Sequence, residues 1–155
     1  MAKASDIIKK ATSYLGTKEN PAGSNKVKFN IDYYGRAVKG SSYPWCCTFV
    51  WDIFRLAGAS ELFFGGAKTA YCPDVENYYK KHDQWHSTGQ VGDLCLMDFG
   101  KGRASHIGIV EKVNDNGTYT TIEGNTSLSS NDNGGAVMRR TRGKSVIRGF
   151  ARPSY

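Results

Sequence analysis

Cys46 is the side chain in this sequence whose type and position best predict chemistry. It follows the turn-forming residues 43–45, Tyr-Pro-Trp, and opens an apolar stretch with helical spacing. In the first turn of a helix, unpaired backbone N–H groups and the positive end of the helix dipole favour a thiolate over a thiol. Because the thiolate is the nucleophilic form, the position predicts a thiol enzyme, with a buried structural cysteine as the alternative.

Helical phase distinguishes Cys46 from its neighbour Cys47. At about 100° per residue, Cys46 lies on the apolar face of the helix predicted over residues 45–57, opposite a polar stripe. Cys47 points towards the flank of that helix, which favours Cys46 as the nucleophile. The apolar face comprises Cys46, Val50, Ile53 and Ala57, and the stripe comprises Thr48, Asp52 and Arg55.

The other two cysteines have weaker positions for this chemistry. Cys72 also precedes a helix, but Asp74 and Glu76 in its first turn would oppose a thiolate. Cys95 lies inside the apolar strand 94–97, which indicates a core position. A chain of this length without a secretory signal or a CxxC pair does not need disulfides, so we expect four free thiols.

A cysteine nucleophile needs a base, usually histidine, and a polar group that orients the imidazole. Solvated side chains on a helix explain the pair His82 and His86 better than a zinc site does. His106 opens a predicted strand, 106–113, which forms a hairpin with the predicted strand 119–125. His106 is therefore the candidate base, and no metal site is predicted.

The register of this hairpin determines which side chains stand beside His106. A turn of two or four residues places His106 on the same face as Glu123 and Asn125, because side chains alternate along a strand. The four-residue turn places His106 directly opposite Asn125. A turn of three or five residues would place these groups on opposite faces, so the predicted grouping depends on the turn.

The remaining elements predict an α+β fold. A first helix is capped by Ser5 and ends at Gly16, residues 16–44 form a long irregular segment, and a third helix has Pro73 at its first position. Strands follow from residue 93 onwards, and helices followed by strands are typical of α+β domains. The predicted strands cover residues 93–99, 106–113, 119–125, 137–141 and 147–152.

Composition indicates one globular domain over residues 1–155. The chain is 39% hydrophobic and 12% aromatic, and it has no apolar run of the roughly 20 residues that a membrane span needs. Charged residues interrupt the N-terminal stretch, so no secretory signal is predicted. The net charge of +7 fits a basic surface, and it would also attract nucleic acid or an anionic wall polymer. The densest basic segment contains Arg139, Arg140, Arg142, Lys144 and Arg148.

Short matches to one known family run along nearly the whole chain. They lie at Asn25, Lys28, Phe29, 43–46, Phe49, Val50, 92–94, 106–111 and 123–126. In this order they resemble the CHAP domain, a cysteine- and histidine-dependent amidohydrolase/peptidase common in phage endolysins and bacterial cell-wall hydrolases. Many relatives have an aspartate before the histidine, where this chain has Ser105. Some bind calcium, to which the segment 25–44 offers only Asp32, so we expect no structural calcium.

The resemblance implies a papain-like α+β fold, with N-terminal helices packed on a C-terminal antiparallel sheet. It implies that Cys46 is the nucleophile and that His106 is the base. Glu123 and Asn125 would orient the imidazole and stabilise the imidazolium. No cofactor is implied.

The resemblance also implies hydrolysis of an amide bond in Gram-positive peptidoglycan, either the N-acetylmuramoyl-L-alanine bond or a peptide bond. Tyr43 and Trp45 are expected to line the substrate groove, although core packing explains both rings equally well. We expect a monomeric catalytic domain cut from a longer protein with a separate wall-binding domain. It would be made in the cytoplasm and act on the wall after release, without binding nucleic acid or inserting into a membrane. The alternatives are a non-catalytic wall- or nucleic-acid-binding module and a thiol amidase acting as an antibacterial effector.

Overall fold

The structure is a computed structural model that describes residues 2–155. Within that range, four α-helices precede a six-stranded antiparallel sheet along the chain. None of these helices combines the length and the apolar composition needed to cross a bilayer. The helices are α1 (Ala4–Thr12), α2 (Lys28–Tyr34), α3 (Cys46–Leu56) and α4 (Cys72–Lys81). The strands are β1 (Trp85–His86), β2 (Leu94–Met97), β3 (His106–Val113), β4 (Tyr119–Thr126), β5 (Ala136–Arg142) and β6 (Ile147–Ala151).

The sheet has the strand order β1-β6-β2-β3-β4-β5, and every neighbouring pair is antiparallel. Helix α3 packs against β3 and β4 near the middle of this order. It buries Phe49, Val50 and Ile53 completely in the main hydrophobic core. The predicted α+β class and five predicted strands are confirmed, and β1 is an additional short edge strand.

Helix α3 occupies the predicted position, but two of the three residues of its polar stripe are buried, and only Arg55 is exposed. Thr48 and Asp52 are fully buried, because helix α2 covers that side of α3. The Thr48 hydroxyl donates a hydrogen bond to Asn30 Oδ1 of α2 at 2.7 Å. Helix α2 lies within the segment predicted to be irregular, so that part of the prediction is wrong. The surrounding Gly, Asn and Tyr residues obscure so short a helical period.

The ends of α1 and the histidine pair also differ from the prediction. Helix α1 ends at Thr12, before Gly16, and the Asp6 carboxylate accepts a hydrogen bond from the Lys3 backbone N–H at 2.8 Å. Ser5 is therefore inside the first turn and is not its cap. His82 follows the last residue of α4, whereas His86 belongs to β1, so the two do not share a helix.

Gly124 of β4 allows the start of α3 to approach the sheet closely. A Cβ atom at this position would lie 2.6 Å from Phe49 Cβ and 3.0 Å from the Trp45 ring. Real Cβ atoms do not approach backbone-linked carbon atoms at 2.6 Å, so any other residue would push α3 outwards. The absence of a side chain at Gly124 therefore allows the short distance between the start of α3, with Cys46, and strand β4.

The β3–β4 hairpin has a different turn from those on which the prediction relied. Val113 pairs with Tyr119, which leaves residues 114–118, an odd number, in the turn. Such a turn alone would put His106 and Glu123 on opposite faces. A β-bulge at Glu111 shifts the register by one residue, so that Val110 pairs with Thr121. The predicted grouping is correct because two irregular features cancel.

Candidate active site

Cys46 is the first residue of α3 and lies at the base of an open cleft of about 340 Å³. The residue is buried, with 5% of its surface exposed, and it borders the cleft. We call this space the Cys46 cleft. It is lined by Asn25, Ser41, Pro44, Cys46, Ala70, Tyr71, Cys72, Lys101, Arg103, Ser105, Asp132 and Asn133.

His106, at the start of β3, is fully buried and is held by Glu123 of β4. Its Nε2 atom lies 2.7 Å from Glu123 Oε1. Its Nδ1 atom is buried and has no hydrogen-bond partner among residues 2–155. The imidazole and the Cys46 thiol are near enough to perturb each other's pKa. One ring nitrogen is thus fixed by a carboxylate and the other is free for proton exchange with Cys46.

Glu123 is itself held by Arg142, a residue that the sequence analysis grouped with surface cations. Arg142 Nε donates to Glu123 Oε2 at 2.8 Å, and Arg142 Nη2 donates to Oε1 at 2.6 Å. Thr121 Oγ1 also donates to Glu123 Oε2. Arg142 is only 4% exposed, and its guanidinium stacks on Phe99. This buried bidentate pair fixes the carboxylate in one orientation towards the imidazole.

Gly108 makes room for this carboxylate. A Cβ atom at position 108 of β3 would lie 2.7 Å from Glu123 Cγ and 3.2 Å from Thr121 Cβ. Position 108 follows His106 on the same face of β3, directly beside the space that Glu123 occupies. A glycine here therefore lets Glu123 reach the imidazole.

Burial and neighbouring charges determine the protonation of the pair. Burial opposes the charge on His106, but the Glu123 carboxylate and the Cys46 thiol outweigh it and raise the pKa of His106 to about 9. Burial also opposes the charge on Glu123, but the hydrogen bonds from Arg142 and the His106 charge lower the pKa of Glu123 to about 2. The pair is therefore an imidazolium–carboxylate ion pair at neutral pH.

A second sulfur atom lies beside the candidate nucleophile. Cys46 Sγ and Cys72 Sγ are 3.7 Å apart. The hydrogen bond with Cys72 and the burial of the thiol raise the pKa of Cys46 well above its ordinary value, and His106 partly opposes this effect. Cys46 therefore rests as a thiol, and its conversion to a thiolate depends on His106.

A comparison with known protein families matches residues 38–125 to the family described as CHAP domain. This chain belongs to the CHAP domain family. The matched residues contain Cys46, His106 and Glu123. A comparison with curated proteins gave no match.

Solved structures confirm the fold of this CHAP domain. The wild-type endolysin LysIME-EF1 is similar with a TM-score of 0.55 and 15% identity, over 100% of this chain and 66% of that one. Ly7917 is similar with a TM-score of 0.55 and 14% identity, over 98% of this chain and 63% of that one. A structure of Ly7917 with the hydrolyzing product of MDP gives the same TM-score and identity, over 97% and 63%. The chain thus spans slightly less than two thirds of these proteins, and the papain-like α+β fold predicted from the sequence is present.

The other two cysteines of the CHAP domain do not face the cleft. Cys47 is fully buried, and its thiol donates to the Thr69 carbonyl oxygen at 3.2 Å. Cys95 lies in a separate cluster with Met97, Val110 and Phe150. All four cysteines are unpaired by disulfides. The structure therefore keeps Cys46 and Cys72 as the two thiols that line the site.

Asn125 lies next to the site but does not contact the imidazole through a hydrogen bond. It has a positive φ of 60°, and its Oδ1 accepts the Gly135 N–H at 3.1 Å. Its backbone oxygen accepts the Gly134 N–H at 3.0 Å. Its buried Nδ2 has no partner among the described residues. Glu123 alone makes the orienting hydrogen bond, and a catalytic role of Asn125 stays a prediction.

Tyr43 and Trp45 do not form the walls of the Cys46 cleft. Trp45 is fully buried, donates from Nε1 to Glu19 Oε2 at 2.9 Å, and stacks on Phe29. Tyr43 is half-buried and packs edge-on against Tyr34. Both rings therefore have packing partners within the protein, and a contact of either ring with substrate stays a prediction.

The cleft wall contains residues that the sequence analysis did not single out. Tyr71 is 51% exposed, and the Arg103 guanidinium lies over its ring at 5.5 Å. Lys101 lies on the same loop and pairs with Asp132 at 3.4 Å. No local pattern marks these residues, because the loops that carry them meet only in the folded chain. Residues 101–105 immediately precede His106, and this position was the one feature of the sequence that could have indicated that they line the cleft.

The described residues contain no group of three or more His, Cys, Asp or Glu side chains suited to a metal ion. Asp32, the one acid in the segment where some relatives bind calcium, pairs with Lys28 at 2.8 Å and Arg55 at 3.1 Å. Its carboxylate is therefore already neutralised by two cations.

The buried ion pair predicts how the stability of the CHAP domain changes with pH. The pKa of His106 rises from 6.5 to about 9 on folding, so its contribution is fully present below pH 6.5 and is lost as the pH rises through 9. The pKa of Glu123 falls from 4.5 to about 2, so its contribution is present above pH 4.5 and is lost as the pH falls towards 2. We expect the free energy of unfolding, measured with urea, to fall between pH 6.5 and pH 9.

The variant His106→Gln is the control for this titration. It keeps a hydrogen-bonding side chain beside Glu123 but cannot be protonated. We expect its free energy of unfolding to change less over the same pH range. An equal fall in both proteins would assign the effect to other groups and contradict the raised pKa of His106.

Proposed function

We propose that this CHAP domain hydrolyses an amide bond of bacterial peptidoglycan, with Cys46 as the nucleophile and His106 as the proton carrier. The observation that carries this proposal is the buried His106–Glu123 hydrogen bond, which leaves Nδ1 free beside a cleft with Cys46 at its base. Membership of the CHAP family and the similarity to the endolysin LysIME-EF1 support the choice of substrate. We further propose a Gram-positive wall as the target and a monomer as the active form.

The first half of the reaction forms an acyl-enzyme. Because His106 is already protonated, Cys46 loses its proton to solvent in the cleft, and its sulfur atom attacks the carbonyl carbon of the amide beside the imidazolium. Backbone N–H groups in the first turn of α3 have no helical acceptor and stabilise the oxyanion. When the tetrahedral intermediate breaks down, His106 gives its proton to the leaving amine and the carbonyl carbon stays attached to Cys46 as a thioester.

The second half of the reaction releases the acid. His106, now neutral, accepts a proton from a water molecule that attacks the thioester carbon. The carbon–sulfur bond breaks, and the departing Cys46 thiolate takes up one proton from solvent, which restores the thiol. Glu123 keeps the imidazole in one orientation throughout and stabilises its charged form, and Arg142 keeps Glu123 in place.

The rim of the Cys46 cleft suits a substrate with free carboxylates. Arg103 forms no ion pair among the described residues, and its guanidinium is held only by the Tyr71 ring and the Ala104 carbonyl oxygen. Arginine binds carboxylates through two parallel hydrogen bonds, and stem peptides of peptidoglycan carry carboxylates. We therefore propose that Arg103 contacts the peptide part of the substrate beside an exposed aromatic ring.

The substitution Arg103→Ala tests this contact. We expect the KM for solubilised muropeptides to rise about tenfold, since a charge-assisted hydrogen bond contributes roughly 1.5–3 kcal/mol, while kcat changes little. Arg36→Ala removes an exposed arginine outside the cleft and should keep the original KM. Equal kinetics for the two variants would exclude Arg103 as a substrate contact.

Digestion of purified peptidoglycan tests the proposed function directly. The full chain is incubated with Gram-positive walls, and the released fragments are identified by mass spectrometry. Fragments with separated glycan and stem peptide would identify an amidase, whereas shortened stems or opened cross-bridges would identify an endopeptidase. Alkylation of Cys46 with iodoacetamide should abolish either product. Wall binding that survives alkylation, with no cleavage by the untreated protein, would instead support a binding module.

A further inference from the structure

Cys46 and Cys72 begin two different helices whose first turns meet at the Cys46 cleft. Cys46 is the first residue of α3 and Cys72 is the first residue of α4. Their sulfur atoms are 3.7 Å apart, and both thiols line the same solvent-connected cleft. Both residues belong to the edge of the main hydrophobic core and also border an open space of about 340 Å³. The hydrolytic reaction uses Cys46 and leaves Cys72 without a chemical task.

The separation of the two sulfur atoms is compatible with a covalent bond after a small movement. A disulfide has a sulfur–sulfur distance of about 2.05 Å, so each atom must move by roughly 1 Å. Rotation about the Cα–Cβ bonds supplies such a movement without displacing either helix. Residues 47–71, which would be enclosed by the bond, already fold back to bring the two helix starts together.

The remaining thiols are less well placed for this bond, although Cys47 is near enough to Cys72 to raise the pKa of the Cys72 thiol. Cys47 adjoins Cys46, but its sulfur atom is turned towards the Thr69 carbonyl oxygen and does not line the cleft. Cys95 lies in the other hydrophobic cluster, with Phe150. Cys72 is thus the one cleft-lining thiol that lies next to Cys46 in the described structure.

We propose that Cys46 and Cys72 form an oxidative modification site, in which Cys72 traps the oxidised nucleophile as a reversible disulfide. The oxidant is a peroxide. The Cys46 thiolate attacks one oxygen of hydrogen peroxide, the O–O bond breaks, and a sulfenic acid and one water form after protonation. The Cys72 sulfur then attacks the Cys46 sulfur, the S–O bond breaks, and a second water leaves. Together the two thiols lose two electrons and two protons, which hydrogen peroxide accepts.

The disulfide would switch the enzyme off without damaging it. It occupies the sulfur atom that must attack the substrate, so hydrolysis stops while the bond exists. It also prevents further oxidation of Cys46 to sulfinic acid, which thiols do not reverse. A dithiol reductant restores both thiols by exchange. The inference rests on the proposed role of Cys46 as the nucleophile only for its effect on activity.

Peptide mapping of the full chain tests the site without measuring activity. The reduced protein is treated with hydrogen peroxide, its free thiols are blocked with N-ethylmaleimide, and it is digested with trypsin without reduction. We expect mass spectrometry to detect a cross-link between the peptide with Cys46 and the peptide with Cys72, lighter by two hydrogen atoms than the two separate peptides. Cys47→Ala must keep this cross-link, because Cys46 and Cys47 share one tryptic peptide.

Activity measurements give the second part of the test. The wild-type protein should lose wall hydrolysis by more than about tenfold after peroxide and regain it with dithiothreitol, as expected for a covalently blocked nucleophile. In Cys72→Ser the lost activity should not return, because Cys46 proceeds to sulfinic acid. Each variant is compared with its own untreated activity.

Three outcomes would overturn the inference. They are a sulfinic Cys46 together with an alkylated Cys72 in the peroxide-treated wild type, loss of the cross-link in Cys47→Ala, and full recovery of Cys72→Ser with dithiothreitol. If Cys72→Ser does not fold, the peptide map of the wild type still shows whether Cys46 and Cys72 form the disulfide. A cross-link in a protein that cleaves no peptidoglycan would refute the proposed function and leave the modification site standing. Cleavage of peptidoglycan by a protein that forms no cross-link would refute the modification site and leave the proposed function standing.

Discussion

Replacing Cys46 with alanine is expected to abolish peptidoglycan hydrolysis while the domain remains folded. The Cys46 sulfur atom lines the cleft and lies close enough to His106 for each group to perturb the pKa of the other. Loss of a covalent nucleophile reduces kcat by on the order of 10³-fold or more in hydrolases of this kind. His106→Ala should have an effect of the same size, because the imidazolium stabilises the thiolate and gives its proton to the leaving amine. Release of soluble fragments from purified walls measures both losses.

Cys47→Ala is the matched control for this experiment. It removes an adjacent thiol from the same helix turn, but that thiol contacts the Thr69 carbonyl oxygen and not the cleft. We expect it to keep most of the activity. Circular dichroism and thermal unfolding should show that Cys46→Ala and His106→Ala are folded, since Arg142 still neutralises Glu123 when the imidazole is removed. Full hydrolysis by Cys46→Ala would refute the assignment of the nucleophile.

Replacing Arg142 with methionine is expected to damage stability and activity together. Glu123 would lose both hydrogen bonds from the guanidinium and remain fully buried. Removing one partner of a buried ion pair costs about 3–5 kcal/mol. Because the His106 imidazolium still compensates part of the Glu123 charge, we expect a loss at the lower end of that range. Glu123 would then hold the imidazole less firmly, and we expect hydrolysis to fall on the order of 10²-fold. Urea unfolding and wall hydrolysis measure the two effects.

Arg139→Met provides the control for Arg142→Met. Both arginines lie on β5 and both form bidentate pairs with a glutamate, Arg139 with Glu111 at 2.6 and 2.9 Å. The Arg139 side chain is 50% exposed, however, and exposed ion pairs contribute less than about 1 kcal/mol. We expect near-normal stability and activity for Arg139→Met. Equal losses in both variants would show that Arg142 has no special role in positioning Glu123.

Much of the fold and the central part of the site follow from local sequence patterns. The apolar run after Trp45 predicts α3 and the inward position of Cys46, because helical phase is a property of the segment alone. Alternating strands predict β3 and β4 for the same reason. Local patterns also select His106 among three histidines, since only His106 begins a strand that follows the helices and faces them. These predictions need no knowledge of distant contacts.

The parts that were missed depend on contacts between distant segments. Arg142 stands in a run of basic residues that has the composition of a surface, and only pairing of β4 with β5 brings it to Glu123. Helix α2 is stabilised mainly by packing on α3, so its own sequence gives a weak signal. Trp45 has the same neighbours in sequence whether it faces a cleft or a core, and its contact with Glu19 decides between them.

The bulge at Glu111 imposes a parity constraint on the length of the β3–β4 hairpin. With the bulge and a turn that contains an odd number of residues, the side chains of His106 and Glu123 lie on the same face of the sheet. An insertion or deletion of one residue within 112–118 would therefore reverse the side on which one of them emerges, unless the bulge is lost at the same time. Changes of two residues need no such compensation. Loop grafts in this hairpin should accordingly be tolerated when they add or remove an even number of residues, although the tip lies far from His106 and Glu123 along the strands.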